Sequence, residues 1–334
     1  MVKCPLVSVI IPVYNTAGYL KMAVSSIQKQ TLTDIEIIIV NDGSTDNSID
    51  IINELSEGDP RIKVHSQSNN GLSVTRNLGL GKASGEFVYF MDSDDILELD
   101  ALSVCYKKCV SQDLDIVIFD ADVFYDSGNA EKSGYNYIRS GKVEARVYEG
   151  REILEVLLDK NLFKAPAWLF FVKRELIEKL KLRFFPGIIH EDELFTPILY
   201  LGAKRVGYLP QIFFHRRIRG NSIMTNKFSD RNLKGYFTVI ENLKVYKETC
   251  DLRSRLVVDR LIRNIVISIS DQSGSFSVRK RYSIIASFLK CNLLRYARLR
   301  SFLILLSPFS NFAKEKVFKP IYKIIGTSFI LIFI

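Results

Sequence analysis

The chain is short of the residues that build metal clusters and disulfide frameworks. It has 5 cysteines and 3 histidines among 334 residues. Cys4, Cys105, Cys109, Cys250 and Cys291 are scattered and odd in number; they form no CxxC pair, and Cys105 and Cys109 have no histidine partner nearby. This speaks against a zinc site and a disulfide-stapled domain and fits reduced thiols in a cytosolic protein. The first residues, Met1-Val2-Lys3-Cys4-Pro5, show no signal-peptide pattern and lead into strand-like sequence, which also points to the cytosol. No apolar run reaches the roughly 20 residues that a membrane-spanning helix needs. There is no internal repeat and no low-complexity linker, which excludes a solenoid or a tethered array.

Acidic residues are scarce in the last part of the chain. Beyond residue 250 only Asp251, Asp259, Asp271 and Glu315 stand against Arg253, Arg255, Arg260, Arg263, Arg279, Lys280, Arg281, Lys290, Arg295, Arg298, Arg300, Lys314, Lys316, Lys319 and Lys323. The formal charge of the whole chain is +9, so the front part is close to neutral. A basic surplus suits an anionic partner: nucleic acid, a membrane surface or a phosphorylated substrate. Residues 303–306 and 324–334 are strongly apolar and flanked by Lys and Arg, the pattern of an interfacial anchor. The alternative is packing on the protein's own core. The positive residues follow apolar helices rather than stacking aromatics on a sheet, which favours lipid over nucleic acid.

What is present is ordinary globular sequence, 47% hydrophobic and 25% charged, long enough for one large domain and an accessory region. Residues 7–11 are a short apolar run ended by Pro12, and Tyr19, Leu20, Ala23, Val24 and Ile27 then recur at helical spacing. Residues 35–40 form a second run, followed by helical spacing of Ile49, Ile52 and Leu55 and a weaker strand at 61–64. A helix over 72–83, carrying Gly79 and Gly81, precedes strands at 86–91 and 115–119. Strands that alternate with helices, and that are too apolar to show one wet face, predict an α/β fold with a mainly parallel sheet covered on both sides. Residues 121–220 are less regular; from about 226 Leu233, Phe237, Ile240, Leu243, Leu256, Val257, Leu261 and Ile265 again have helical spacing. A boundary near 225 therefore divides the chain into 1–225 and a helical, basic 226–334.

Ligands of such sheets bind at the carboxyl ends of the strands. Three predicted strands end in special residues: Pro12-Val13-Tyr14-Asn15, Asn41-Asp42-Gly43-Ser44 and Asp92-Ser93-Asp94-Asp95. Parallel pairing puts all three on one edge. The crowded carboxylates of the third cost Coulomb energy unless a cation binds there. A divalent ion with oxygen ligands, itself holding a phosphate, answers that need; a solvated turn or helix cap is the plain alternative.

These blocks carry a resemblance. Val7-Ser8-Val9-Ile10-Ile11-Pro12-Val13-Tyr14-Asn15, then Asn41-Asp42-Gly43-Ser44-Thr45-Asp46-Asn47-Ser48, then Asn70-Gly71-Leu72-Ser73-Val74-Thr75-Arg76-Asn77, then Asp92-Ser93-Asp94-Asp95 closely resemble glycosyltransferase family 2. Its members are inverting, nucleotide-sugar-dependent enzymes with the GT-A fold, a Rossmann-like, mainly parallel sheet flanked by helices. The match is dense over 5–120 and thin to about 225.

The resemblance implies that Pro12, Val13, Tyr14 and Asp42 contact the nucleoside, with Asn15 and Arg76 in the same block set. The chemistry agrees: Asp42 can accept the imide N–H of a uracil, and Tyr14 can stack on the base. It implies that Asp92 and Ser93 face the ribose and that Asp94, with Asp92, coordinates Mn²⁺ or Mg²⁺ bridging the donor phosphates. His190-Glu191-Asp192-Glu193 resembles the block that supplies the base, with Asp192 the choice and Glu191 its rival. Phe213-Phe214-His215-Arg216-Arg217 resembles the closing segment: His215 as a metal ligand, Arg216, Arg217 or Arg219 on the diphosphate. Trp168 falls where the family often lines its acceptor site, with a core position the equal alternative, and Leu169-Phe170-Phe171 follow it where polar residues are usual.

The expected activity is transfer of one sugar, from a UDP-linked donor, to a hydroxyl of a lipid-linked glycan. The expected place is the inner face of the cell membrane, in surface polysaccharide assembly. A processive synthase with its own export channel is disfavoured by the lack of long apolar runs. A nucleotidyltransferase would need a Gly-rich phosphate loop after the first strand, where Pro12-Val13-Tyr14-Asn15 stands instead. The remaining rival is a catalytically inactive relative serving as an assembly partner.

Overall fold

The computed structural model describes residues 4–126, 136–219, 227–298 and 304–306. The chain falls into two compact units, Met1–Asn226 and Lys227–Ile334. The first begins with alternating elements: β1 (Val7–Val13), α1 (Ala17–Gln28), β2 (Ile35–Asn41), α2 (Ser48–Gly58), β3 (Ile62–Ser66), α3 (Leu72–Lys82) and β4 (Phe87–Phe90). It continues with β5 (Ile96–Leu97), α4 (Ala101–Gln112), β6 (Ile116–Tyr125), β7 (Val147–Tyr148), α5 (Gly150–Asp159), β8 (Phe170–Lys173), α6 (Arg174–Lys179), α7 (Asp192–Gly202) and β9 (Val206–Ile218).

The strands form one sheet in the order β3-β2-β1-β4-β8-β6-β9-β5, with β7 also on β9. Pairing is parallel from β3 to β4 and between β6 and β9. β8 is antiparallel to both β4 and β6 and occupies the middle of the sheet. Periodicity did not reveal it, because it lies in the stretch that reads as irregular. Phe170, Phe171 and Val172 are fully apolar and buried on both faces, and a run this short has no period to read.

The helices cover the sheet as their spacing predicts. α1 buries Leu20, Ala23, Val24 and Ile27, one stripe of a 3.6-residue period. α3 lies tight against β1: a Cβ on Gly79 would sit 2.4 Å from Ile10 Cγ2. Near the amino ends of the strands a buried carboxylate ties four segments together. Glu36 Oε1 accepts from Ser8 Oγ at 2.6 Å, Ser84 N–H at 2.7 Å and Gly85 N–H at 3.2 Å, and its Oε2 from Lys63 Nζ at 2.6 Å.

The second unit is helical: α8 (Asp230–Glu248), α9 (Leu252–Gln272) and α10 (Val278–Lys290). α9 buries Val257, Val258, Leu261, Ile262, Ile265, Val266 and Ile269, and its N-cap Asp251 accepts from the N–H groups of Arg253 and Ser254. Among the described residues no helix is long and apolar enough to cross a membrane. The apolar run at 303–306, expected as an anchor, is partly core. Ile304 and Leu305 are buried, and Arg281 Nη1 donates to the Ile304 carbonyl at 3.0 Å. The run at 324–334 lies outside the described residues.

Candidate active site

The parallel strands β1, β2 and β4 end side by side, with Val13 opposite Asn41 and Ile10 opposite Phe90. Hydrogen bonds knit the turns that follow. Asp42 N–H donates to the Val13 carbonyl at 2.8 Å. Asn15, with φ of 51°, accepts Thr45 N–H on Oδ1 at 2.8 Å, and Thr16 Oγ1 donates to Ser93 Oγ at 3.0 Å. Pro12 and Val13 are buried strand residues. Tyr14 is 48% exposed.

Asp42 is buried and already bonded. Its Oδ1 accepts from Gln67 Nε2 at 2.7 Å and Asn70 N–H at 2.9 Å, and its Oδ2 from Gly71 N–H at 2.9 Å. A carboxylate offers about four acceptor positions, so Oδ2 has room for one more donor. Asp42 therefore shapes the turn before α3.

The acidic tetrapeptide after β4 is held by the end of β9. Arg219 Nε donates to Asp94 Oδ2 at 2.7 Å. Arg217 N–H donates to Asp95 Oδ1 at 2.7 Å, its Nε to the Asp94 carbonyl at 2.9 Å, and its Nη1 to Asp126. Burial raises the pKa of Asp94, and the neighbouring Asp92 adds to it against Arg219. Asp95 is pushed further up by burial and by Asp94 and Asp92.

Arg76 links this strand end to the Glu191-Asp192 pair at the start of α7. Its Nη2 donates to Asp92 Oδ1 at 2.9 Å, and its Nη1 to Glu191 Oε1 at 2.7 Å and Asp192 Oδ1 at 3.1 Å. Burial raises the pKa of both Glu191 and Asp192, with Arg76 opposing it. The Asp192 side chain is 20% exposed and that of Glu191 6%, so Asp192 is the one that reaches solvent. His190 stands at a φ of 69°, and burial lowers its pKa to about 4.

At three of the expected places the side chains are engaged with other protein groups. Trp168 is 4% exposed and stacks on Phe214 at 4.2 Å with Tyr137 against its edge, the core position that was the alternative for it. His215 engages both ring nitrogens, Nδ1 with Asp122 at 2.6 Å and Nε2 with Glu98 at 2.7 Å, so neither is turned to Asp92 or Asp94. Burial lowers its pKa, but the two carboxylates outweigh this and raise it. Arg216 bonds to the Tyr137 hydroxyl and Arg217 to the acidic turn, so both act on protein groups. Sequence reasoning missed Asn77: its Nδ2 donates to the Phe184 carbonyl at 2.7 Å and its Oδ1 accepts Phe184 N–H at 2.9 Å. Its place in the Asn70-to-Asn77 block was the available signal.

Residues 8–181 match the family model described as Glycosyl transferase family 2. The chain belongs to glycosyltransferase family 2. Among its relatives, glycosyltransferase GlyA of Streptococcus pneumoniae is 38% identical over 221 residues, 65% of this chain and 31% of the relative. Glycosyltransferase GlyG of the same organism is 31% identical over 228 residues, 67% of this chain and 74% of the relative. The chain thus spans about a third of GlyA. Among solved structures, S. aureus TarS 1–349 in complex with UDP-GlcNAc superposes with a TM-score of 0.64 at 20% identity, covering 90% of this chain and 81% of that one. The mannosyltransferase PcManGT of Pyrobaculum calidifontis, in complex with GDP-Man and Mn2+, gives a TM-score of 0.55 at 16% identity over 94% and 89%. At such identities the likeness is one of fold, and the fold of this family 2 chain is GT-A.

Proposed function

We propose that the protein transfers a sugar from a nucleotide sugar to an acceptor hydroxyl with inversion, with UDP the expected nucleotide. One observation carries this: the acidic turn after β4 and the Glu191-Asp192 pair meet on one buried arginine at the carboxyl edge of the sheet, in a chain of a glycosyltransferase family. The TarS complex with UDP-GlcNAc supports UDP as the first nucleotide to test.

Asp192 takes the acceptor proton in this reading. Its carboxylate is the more exposed of the pair, and burial makes it a stronger base than a solvated one. The acceptor oxygen forms a bond to the anomeric carbon as the bond from that carbon to the diphosphate breaks, and the nucleoside diphosphate leaves with the electron pair. One displacement inverts the centre. Tyr14 and the free position on Asp42 Oδ2 bind the base, and Asp92 and Ser93 face the ribose.

A divalent cation fits the residues of the acidic turn. All donors are oxygens, and Asp92, Asp94 and Asp95 stand close enough that each neighbour adds to the rise that burial causes in the pKa of Asp94 and Asp95. Among the described residues no three His, Cys, Asp or Glu side chains converge as a complete site. Asp94, with Asp92, would therefore hold Mn²⁺ or Mg²⁺ in the manner of ions that take one or two carboxylates and substrate phosphates. Such an ion supplies neutralisation of the leaving diphosphate.

The acceptor is proposed to be a lipid-linked glycan at the inner membrane face, in surface polysaccharide assembly. Supporting this are the basic surplus beyond residue 250 and the exposed Val278, Tyr282 and Leu289 of α10, which share one helical face beside Arg279 and Lys290.

The test is a thermal-shift screen of UDP-, GDP-, dTDP- and CMP-sugars with and without Mn²⁺, beside Asp42→Ala and Asp94→Asn. Metal-dependent stabilisation by one nucleotide class, reduced in both variants, is the expected result. Absence of any shift, with no donor turnover, would overturn the enzyme reading in favour of the inactive assembly partner.

A further inference from the structure

The Arg-containing block that resembles a nucleotide-binding segment does something else with its arginine. Arg76 is 2% exposed, and its bonded nitrogens face protein carboxylates on two sides. Asp92 belongs to the strand end where the donor is proposed to bind. Glu191 and Asp192 belong to the segment proposed to act on the acceptor, more than a hundred positions away in sequence. The guanidinium lies over the Phe184 ring, 5.2 Å from its centroid, and that ring stacks on Phe195 of α7 at 3.9 Å. The next residue, Asn77, grips the backbone of Phe184 through both its amide atoms. Consecutive residues of α3 thus anchor the whole approach to α7, at Phe184 and at Glu191-Asp192, while α3 itself is pressed on β1 at Gly79.

We infer that Arg76 is a positioning residue: it fixes the acceptor-side carboxylates Glu191 and Asp192 relative to the donor-side Asp92, and it does not bind the nucleotide. The inference rests on the proposed transferase reading and deepens it. The physical case is directional. A guanidinium is a rigid planar fork that can bond in two directions at once, whereas an ammonium is a single point of charge on a flexible stem. With Nη2 on one wall and Nη1 on the other, the separation of the two walls is set by the width of one planar group. The Nε, buried and without a hydrogen-bond partner, shows that the group is oriented for its two end nitrogens. A lysine here keeps the charge and loses the fork. Displacement of a catalytic group by about 1 Å costs about 100-fold in rate, and that is the size of effect expected.

The experiment compares wild type with Arg76→Lys, and with Glu191→Gln as a second variant that opens one arm of the fork while leaving Arg76 in place. Folding is checked by circular dichroism melts. Affinity for UDP with Mn²⁺ is measured by calorimetry, and kcat and donor KM are measured with the donor found in the screen. The expected result for both variants is a UDP affinity and donor KM within about threefold of wild type and a kcat lower by about 100-fold. A loss of UDP affinity of tenfold or more in a folded Arg76→Lys protein would overturn the inference and restore the arginine as a nucleotide contact. A wild-type kcat in Arg76→Lys would overturn it as well. Wild-type protein that neither binds UDP nor turns over any donor would instead count against the transferase reading, so the two failures are distinguishable.

Discussion

Asp192 and Glu191 are adjacent in sequence and alike in chemistry, and only their surroundings separate them. Glu191 is enclosed and holds Arg76 at 2.7 Å; Asp192 holds it at 3.1 Å and keeps one side open. Removing the proposed base should therefore cost rate and not binding. Asp192→Asn is expected to lower transfer by about 10²–10⁴-fold, the range for a positioned general base, with UDP affinity by calorimetry unchanged. A variant with full activity would move the role to Glu191. Neither the enclosure of Glu191 nor its bond to Arg76 could be read from the tetrapeptide, since the partner comes from a distant helix. The acidic turn after β4, by contrast, was legible because its charge crowding is local.

Elements are tied together in this protein by a few buried polar groups and close backbone approaches. Glu36 joins β1, β2, β3 and the turn before β4. Burial alone would raise its pKa, but Lys63, Ser8 and Ser84 outweigh it and bring it from 4.5 down to about 2. A depressed carboxylate stabilises the fold above its unfolded pKa and loses that contribution as pH falls toward the folded one. Stability should thus be full above pH 4.5 and decline between about 4.5 and 2, by at most about 3 kcal/mol from this group. Glu36→Gln should flatten that part of a denaturation-versus-pH curve and lower stability at pH 7; an unaltered acid limb would remove Glu36 from the account. Gly79 makes a second tie. Gly79→Val should destabilise by about 1–3 kcal/mol through overpacking on Ile10, measured by urea denaturation, while Gly81→Val, with open space around it, should cost less. The glycines lowered the helix signal of α3 in sequence, yet one of them is what lets that helix seat.

For the whole molecule, the question is where the basic second unit acts. The proposed membrane role predicts that truncation after residue 315 reduces co-sedimentation with anionic vesicles while UDP binding in the first unit persists. Co-sedimentation equal to that of the full chain would move the contact to α10 or remove it. The same vesicles with Tyr282→Glu and Leu289→Glu separate those outcomes, because both side chains are exposed on α10 and tolerate charge without loss of core. Burial of Ile304 and Leu305 already shows that not every apolar residue of this region is available to lipid.

The sequence by itself determined the alternation of strand and helix, the parallel start of the sheet and the clustering of Asn15, Asp42 and Asp92 at one edge. These follow from local periodicity and from the rule that parallel strands end together, neither of which needs long-range knowledge. Tertiary structure alone decided the insertion of β8 between β4 and β6, the burial of Trp168, the two carboxylates on His215 and the fork of Arg76. Each depends on at least one contact between segments 40 to 120 residues apart, chosen by packing and charge balance across the finished sheet rather than by any neighbour in the chain.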